Sequence, residues 1–497
     1  MKRTHLIGLL ALGGAIAGMG FGCSSDPVVD DGGEGGMGGM GTSTSSTGMG
    51  PGSTTSTGGM GGMAPVDEST SCADAPQMEM VTNNGVTFYR SVGYINPAGD
   101  SDYFLLNARA GEWLQLLTIA NEEDDPTLID TVITLYNEDG SQQLAQVDDA
   151  FPRLTTDSEM FYRVETAGTY CLKVEEFSDW AGQTPEGGPN FFYNAISLPI
   201  VFADFDEFNE DTEPNDTLAA PQANLTYLVS QMSGLNFTQL AGVFDADTDV
   251  DVWQYDAPNI TIDPGNIYSM ELSFTPSGID GFGGTTSPGI INIYDAADTT
   301  TALARLDVAN GSEGFSAVPI VPGGSYLIEV EREAGGAAGT NPFYFMKMGA
   351  QLFLNQVEMD DTLNNTSAGA ESITPSPMTT SHFLYGDLPA GDEDWWIVPN
   401  VAAGQNIIVS CSAQRNGAGV GDLTVEYYST NPGGAAVQTD TETAMQDILW
   451  ADQIPGASQG EITGTAAGDH YFRMSSTTDI PGVSSRTYLC GIAVVMP

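Results

Sequence analysis

A chain of 497 residues carrying 66 acidic against 13 basic side chains, a formal charge of −53, surrounds itself with a field that repels nucleic acid. Hydrophobic residues at 41% suffice for several packed cores, while 60 Gly and 27 Pro point to many turns and at least one unstructured tract. What composition leaves open is a loop-rich, multi-domain chain with a solvated acidic surface that can attract divalent cations.

The first segment has a short basic head (Lys2, Arg3), an apolar run from Leu6 to Ala17 and small residues leading to Gly22-Cys23, the form of a secretory signal. A Cys directly after Gly, followed by Ser24-Ser25, resembles the cleavage site of bacterial lipoproteins. The resemblance implies a signal peptide over 1–22, a lipid on Cys23 and, with Ser24 rather than Asp next to it, anchoring at the outer membrane or cell surface. Residues 23–71 then lose almost all large apolar side chains and repeat Gly-Gly-Met and Ser-Thr units, as in Gly35-Gly-Met-Gly-Gly-Met-Gly41. Nothing there offsets the entropy of ordering, so the segment reads as a flexible tether with a reach of about 35–40 Å.

The four cysteines beyond the tether fall in two local groups, Cys72 with Cys171 and Cys411 with Cys490. An exported chain meets an oxidising compartment, and locality selects these two intradomain disulfides among the three possible connectivities. No Cys-x-x-Cys redox pair or zinc-type spacing is present.

Three repeats of one β module account for the rest. The middle copy opens with Asp211-Thr-Glu-Pro-Asn-Asp-Thr217 and continues with Ala241-Gly-Val-Phe-Asp-Ala-Asp-Thr-Asp-Val-Asp-Val-Trp253. A degraded version reappears as Glu358-Met-Asp-Asp-Thr362, Tyr385-Gly-Asp387 and Gly391-Asp-Glu-Asp-Trp-Trp396. A weaker one, without the acidic leader, lies at Val92-Gly-Tyr94 and Ala98-Gly-Asp-Ser-Asp-Tyr103. Each copy then has a strand ending in Tyr (Val132–Tyr136, Ile290–Tyr294, Leu423–Tyr427), a turn into a further strand, and a closing Tyr-bearing strand (Phe191–Tyr193, Phe343–Phe345, Tyr488–Val494). Short β-rich runs between Gly, Pro, Asn and Asp predict antiparallel sandwiches of about eight strands over 72–203, 206–350 and 354–496. The aromatic residues of the Asp-x-Asp strand are expected to face the core between sheets.

This order of motifs resembles the bacterial pre-peptidase C-terminal (PPC) domain, a jelly-roll-like β-sandwich found beside secreted proteases and in surface proteins. The resemblance covers almost all of the chain beyond the tether, with its strongest motif in the middle copy and no peptidase domain alongside. It implies a module that binds extended polymers on one sheet face and holds calcium with the leader and a nearby loop, here Glu213, Asn215 and Asp216 with Asp247 or Asp249.

Calcium is also the chemistry the residues themselves suggest, because a hard cation wants six to eight oxygens and Asp245, Asp247, Asp249 and Asp251 alternate close in sequence. They do not make an EF-hand, since Val250 stands where that loop needs Gly and Asp256 where it needs Glu. The plainer reading has Asp251 capping a turn and the others solvated. The acidic run Glu122–Asp125 reads as a loop tip. Catalytic signals are weak: His382 and His470 form no metal-ligand pair, His470 reads as an exposed turn residue, and no Gly-x-Ser-x-Gly elbow occurs. The sequence therefore predicts a non-enzymatic, lipid-anchored surface protein whose modules bind an extracellular polymer or an envelope partner, with calcium as cofactor and no nucleic acid. The alternatives are a purely structural surface spacer and a secreted hydrolase of unrecognised type.

Overall fold

The computed structural model describes residues 69–495 apart from 84–85, 121–128, 148–156, 203–204, 206, 231–232, 247, 264–265, 276–288, 308–314, 333–342, 354–357, 359–362, 374–380, 445 and 452–457. Cys23, the signal-like segment, the tether up to residue 68, Asp247 and the Glu122–Asp125 run lie outside the described residues.

The chain is nearly all β, as the sequence predicts. Its first group of strands is β1 (Glu79–Asn83), β2 (Val86–Tyr94), β3 (Ser101–Ala108), β4 (Trp113–Ile119), β5 (Thr131–Asn137), β6 (Gln143–Val147), β7 (Glu159–Arg163), β8 (Gly168–Glu176) and β9 (Phe192–Ile200). The second is β10 (Phe208–Glu210), β11 (Leu228–Val229), β12 (Asn236–Val243), β13 (Val250–Asp256), β14 (Ile267–Thr275), β15 (Gly289–Asp295), β16 (Ala304–Asp307), β17 (Phe315–Pro319), β18 (Ser325–Arg332) and β19 (Phe343–Phe353). The third is β20 (Glu371–Ser372), β21 (Ser381–Asp387), β22 (Glu393–Val401), β23 (Asn406–Ser412), β24 (Thr424–Tyr428), β25 (Gln438–Thr441), β26 (Ile448–Trp450), β27 (Gly468–Ser475) and β28 (Thr487–Val495).

One topology recurs. The sheets β2-β9-β4-β7, β12-β19-β14-β17 and β21-β28-β23-β26 are equivalent, and so are β3-β8-β5-β6, β13-β18-β15-β16 and β22-β27-β24-β25. Counted within a module, the eight strands stand in the order 1-8-3-6 and 2-7-4-5, which is the jelly roll. The remaining strands are edge additions, of which β10 and β20 run parallel to their neighbours.

Burial follows the period of two that a pleated strand imposes. In β3 the side chains of Asp102, Phe104, Leu106 and Ala108 are buried while those between them are half-buried or exposed. The same phase puts Trp253 and Tyr255 of β13 and Trp396 of β22 in their sandwich cores. In two places the expectation for this strand needs correction. Tyr103 is half-buried, and Phe104 takes the interior place; Trp395 points away from the core and lies beneath the Arg473 guanidinium, 5.8 Å from ring centroid to Cζ.

Both disulfides form as expected. Cys72 ties the segment before β1 to Cys171 of β8, and Cys411 and Cys490 face each other in register on β23 and β28. They close loops of 99 and 79 residues, the kind of link that stabilises by about 2–4 kcal/mol.

The modules are docked against one another. Trp113, Phe161, Tyr162 and Phe202 of the first share one hydrophobic cluster with Phe208, Phe343 and Phe345 of the second. Phe161 and Phe345 stack at 3.6 Å between centroids and 6° between planes. Lys347 of the second module is buried there in an ion pair with Glu159 of the first, whose carboxylate also accepts from Gln115, and the ammonium lies 5.2 Å from the Phe161 centroid. The second junction is mainly polar. Ser316 Oγ donates to the Asn416 carbonyl at 2.7 Å, and the backbone N–H groups of Arg305 and Ser484 donate to the Gly417 and Ala302 carbonyls at 2.8 Å each, beside a small apolar contact of Ile267 with Tyr385 and Leu489.

Candidate metal centre

In every module the inward Asp of the second core strand meets a Tyr reaching across from the opposite sheet. Tyr193 donates to Asp102 Oδ2 at 2.6 Å in the first module. In the second, the Tyr344 hydroxyl lies against Asp251 and accepts from Trp253 Nε1 at 2.8 Å. In the third, Tyr488 lies against Asp394 and accepts from Trp396 Nε1, also at 2.8 Å. The ring fits because its cross-strand partner is Gly93, Gly242 or Gly386. A Cβ at Gly242 would fall 2.2 Å from Tyr344 Cζ, far inside van der Waals contact. These glycines leave room for an aromatic inter-sheet bridge.

In the second module the leader builds further on this bridge. It crosses the end of the sandwich beside β13: Val252 N donates to the Asn215 carbonyl at 3.1 Å and Gln222 N to the Val252 carbonyl at 2.8 Å. Asn215 Nδ2 then donates to Asp211 Oδ1 at 2.7 Å and Asn215 N to Glu213 Oε2 at 3.0 Å. Two overlapping sets of carboxylates result, Asp211 with Glu213 and Asp251, and Glu213 with Asp216 and Asp249, each offering oxygens within 4.8 Å of one another.

The electrostatics are unfavourable as they stand. Burial, followed among the unfavourable contributions by Asp211, Asp249 and Glu213, pushes Asp251 up to about 8. Burial with Asp249 and Asp245 pushes Asp211 up to about 6, and burial raises Glu213. Asp251 has no exposed surface and Asn215 has 1%, yet neither Asp251 oxygen nor Asn215 Oδ1 receives a well-formed hydrogen bond. Buried acceptors without donors, converging from two segments, are what a hard divalent cation satisfies. The residues present fit such an ion.

The structure therefore brings together Glu213, Asn215, Asp216, Asp249 and Asp251. Asp245 is exposed, donates its backbone N–H to Asp249 Oδ2 at 2.5 Å, and is not among the converging carboxylates. Asp251 caps no turn; it sits inside β13. Asp211 was missed by the sequence-based set, although it opens the same leader two residues before Glu213. His470 also needs correction, since it is fully buried on β27 rather than exposed in a turn. Its Nε2 donates to the Ala466 carbonyl at 2.9 Å, and its Nδ1 is hydrogen-bonded with the Tyr427 hydroxyl at 2.6 Å. Both ring nitrogens are thus occupied by structural bonds.

No family model and no curated protein matches the chain. Solved structures that resemble it include the tandem CBM51 modules of a family 98 glycoside hydrolase from Streptococcus pneumoniae, at 11% identity over 55% of this chain and 88% of that one, with a TM-score of 0.17. Others are the CUB1-EGF-CUB2 domain of human MASP-1/3 (8%, 52% and 99%, 0.16) and the ANXUR2 extracellular domain from Arabidopsis thaliana (11%, 54% and 82%, 0.17). At these scores the likeness carries no argument about the carboxylate cluster.

Proposed function

We propose that this is a non-enzymatic surface protein, lipid-anchored through Cys23, whose PPC-like sandwiches bind an extracellular polymer and whose second module is closed by calcium. The observation that carries the calcium reading is the convergence of Asp211, Glu213, Asn215, Asp249 and Asp251 on a place where buried oxygens lack donors. The cation would tie the leader to β13 and so fix one end of the sandwich. Interiors filled by Trp253, Trp396 and Trp450 support a binding rather than a catalytic role, because the core between the sheets is occupied by packing side chains. Docked modules would present their outer faces to a polymer at a fixed spacing, which favours simultaneous engagement.

The test is calorimetric unfolding of the mature chain, disulfides formed, in chelator and then in millimolar calcium. A transition that rises with calcium, and no longer does so in the Glu213→Ala, Asp249→Ala double variant, supports the site by linkage. An unchanged transition overturns it. The shared aromatic core of the first two modules favours one second reading, a rigid spacer. Retention of the chain on no extracellular polysaccharide or fibrous protein, with or without calcium, would select that reading.

A further inference from the structure

The third module has the same Asp–Tyr–Trp bridge but a different arrangement above it. Asn364, fully buried, donates through Nδ2 to both Glu358 Oε1 at 3.0 Å and Asp394 Oδ1 at 3.1 Å. The backbone N–H of Asp387, at the end of β21, donates to Glu358 Oε2 at 2.9 Å. One amide thus clamps both carboxyls at the same place. Asp394 has no exposed surface, and its Oδ2 meets no donor.

We propose that Glu358 and Asp394 share one proton, which closes the third sandwich where the second would use a cation, and that this module loosens as the proton is lost. The inference goes beyond calcium binding and does not depend on it. Besides Glu358 from the leader and Asp394 on β22, the groups that face the pair are Asp392 just before β22, Tyr488 on β28 and Asp387 at the end of β21. All are acidic or neutral, so the proton has no cationic competitor among them. Burial, then Glu358, then Asp392 raise Asp394, in keeping with a pair that cannot lose both protons at neutral pH.

The balance is simple: one proton enters from solvent as the module closes, and one is released as it opens. Difference infrared spectroscopy of the full mature chain, in chelator, reads the protonated carboxyl directly. The expected result is a carboxylic-acid carbonyl component at neutral pH that appears in the difference between wild type and Glu358→Gln, where the variant's amide donates to an ionised Asp394. Thermal unfolding between about pH 6 and pH 9 gives the second readout. The C-terminal transition of the wild type should fall as pH rises, that of Glu358→Gln should stay flat, and millimolar calcium should change neither. Should Glu358→Gln fail to fold, Asp394→Asn offers the converse donor to Glu358 and the same flat profile is expected. Absence of that component from the difference spectra of both variants, or an undiminished pH dependence in the folded variant, overturns the proposal. Suppression of the wild-type pH dependence by calcium overturns it too, and would assign a cation to this module.

Discussion

Replacing Asp251 by Asn should stabilise the cation-free protein and weaken the calcium-loaded one. Asp251 is fully buried and pushed up to about 8 from an ordinary value of 3.8, so at pH 7 folding must either protonate it or bury its charge. The sign follows from the raised folded value: the carboxyl's contribution to stability is complete below about pH 4 and is lost as pH climbs towards 8. At about 1.4 kcal/mol per pH unit, the loss between the ordinary value and pH 7 comes to about 4 kcal/mol. Asn cannot ionise, so the variant in chelator should recover up to that amount. The same variant gives up a charged ligand, and the stabilisation by calcium, about 2.7 kcal/mol at a hundredfold excess over Kd, should shrink. Differential scanning calorimetry at about pH 5 and pH 8, in chelator and in calcium, gives four numbers for each protein. Wild type in chelator should melt higher at pH 5, and in the variant the difference for the second module should shrink. A variant that melts below wild type in chelator at pH 8 would refute the reasoning.

Gly242→Ala should cost about 2–4 kcal/mol in chemical denaturation, since its Cβ displaces Tyr344 and strands the Trp253 N–H beside Asp251. Lys347→Met should cost about 3–5 kcal/mol by leaving the buried Glu159 charge without its cation, whereas the Lys347→Met, Glu159→Gln double variant should recover most of that loss in guanidinium unfolding. Because Phe161 and Phe345 belong to one cluster, tryptophan fluorescence and hydrogen exchange should report one cooperative transition for the first two modules. Cys411→Ser with Cys490→Ser should lower thermal stability by about 2–4 kcal/mol and show that loss as a separate C-terminal transition.

Much of this architecture was legible because its signals are local. The Asp-x-aromatic strand and the closing Tyr strand each sit on one strand, and the structure joins them through one side-chain bridge per module. Cysteine locality selected the disulfides for the same reason. The docking of modules was harder to see, though Phe343-Tyr-Phe345 carried a sign of it. With a period of two, Tyr344 pointing inward sends both Phe outward, and such a strand needs cover on its second face. His470 was misread because the turn ends at Gly468, where β27 begins, so the residue already faces the core. At the carboxylate cluster the spacing of Asp245, Asp249 and Asp251 suggested a row, but the strand starts at Val250 and divides them between loop and sheet. Asp211 joins from the leader, a contact that sequence separation conceals.

The Cys72–Cys171 bond also decides how the chain carries load. A pull arriving from the residues before Ser69 meets the Ser69 hydroxyl's bond to the Tyr103 carbonyl and then the disulfide, only seven residues before β1 begins. It is therefore passed to β8, an internal strand with β3 on one side and β5 on the other. Beyond Cys72, the edge strand β1 is relieved of tension and cannot be unzipped from β2 bond by bond. Under flow or contact at a surface, the first sandwich would bear force across a covalent link into the middle of a sheet, and reducing that link would convert a mechanically resistant module into one that peels.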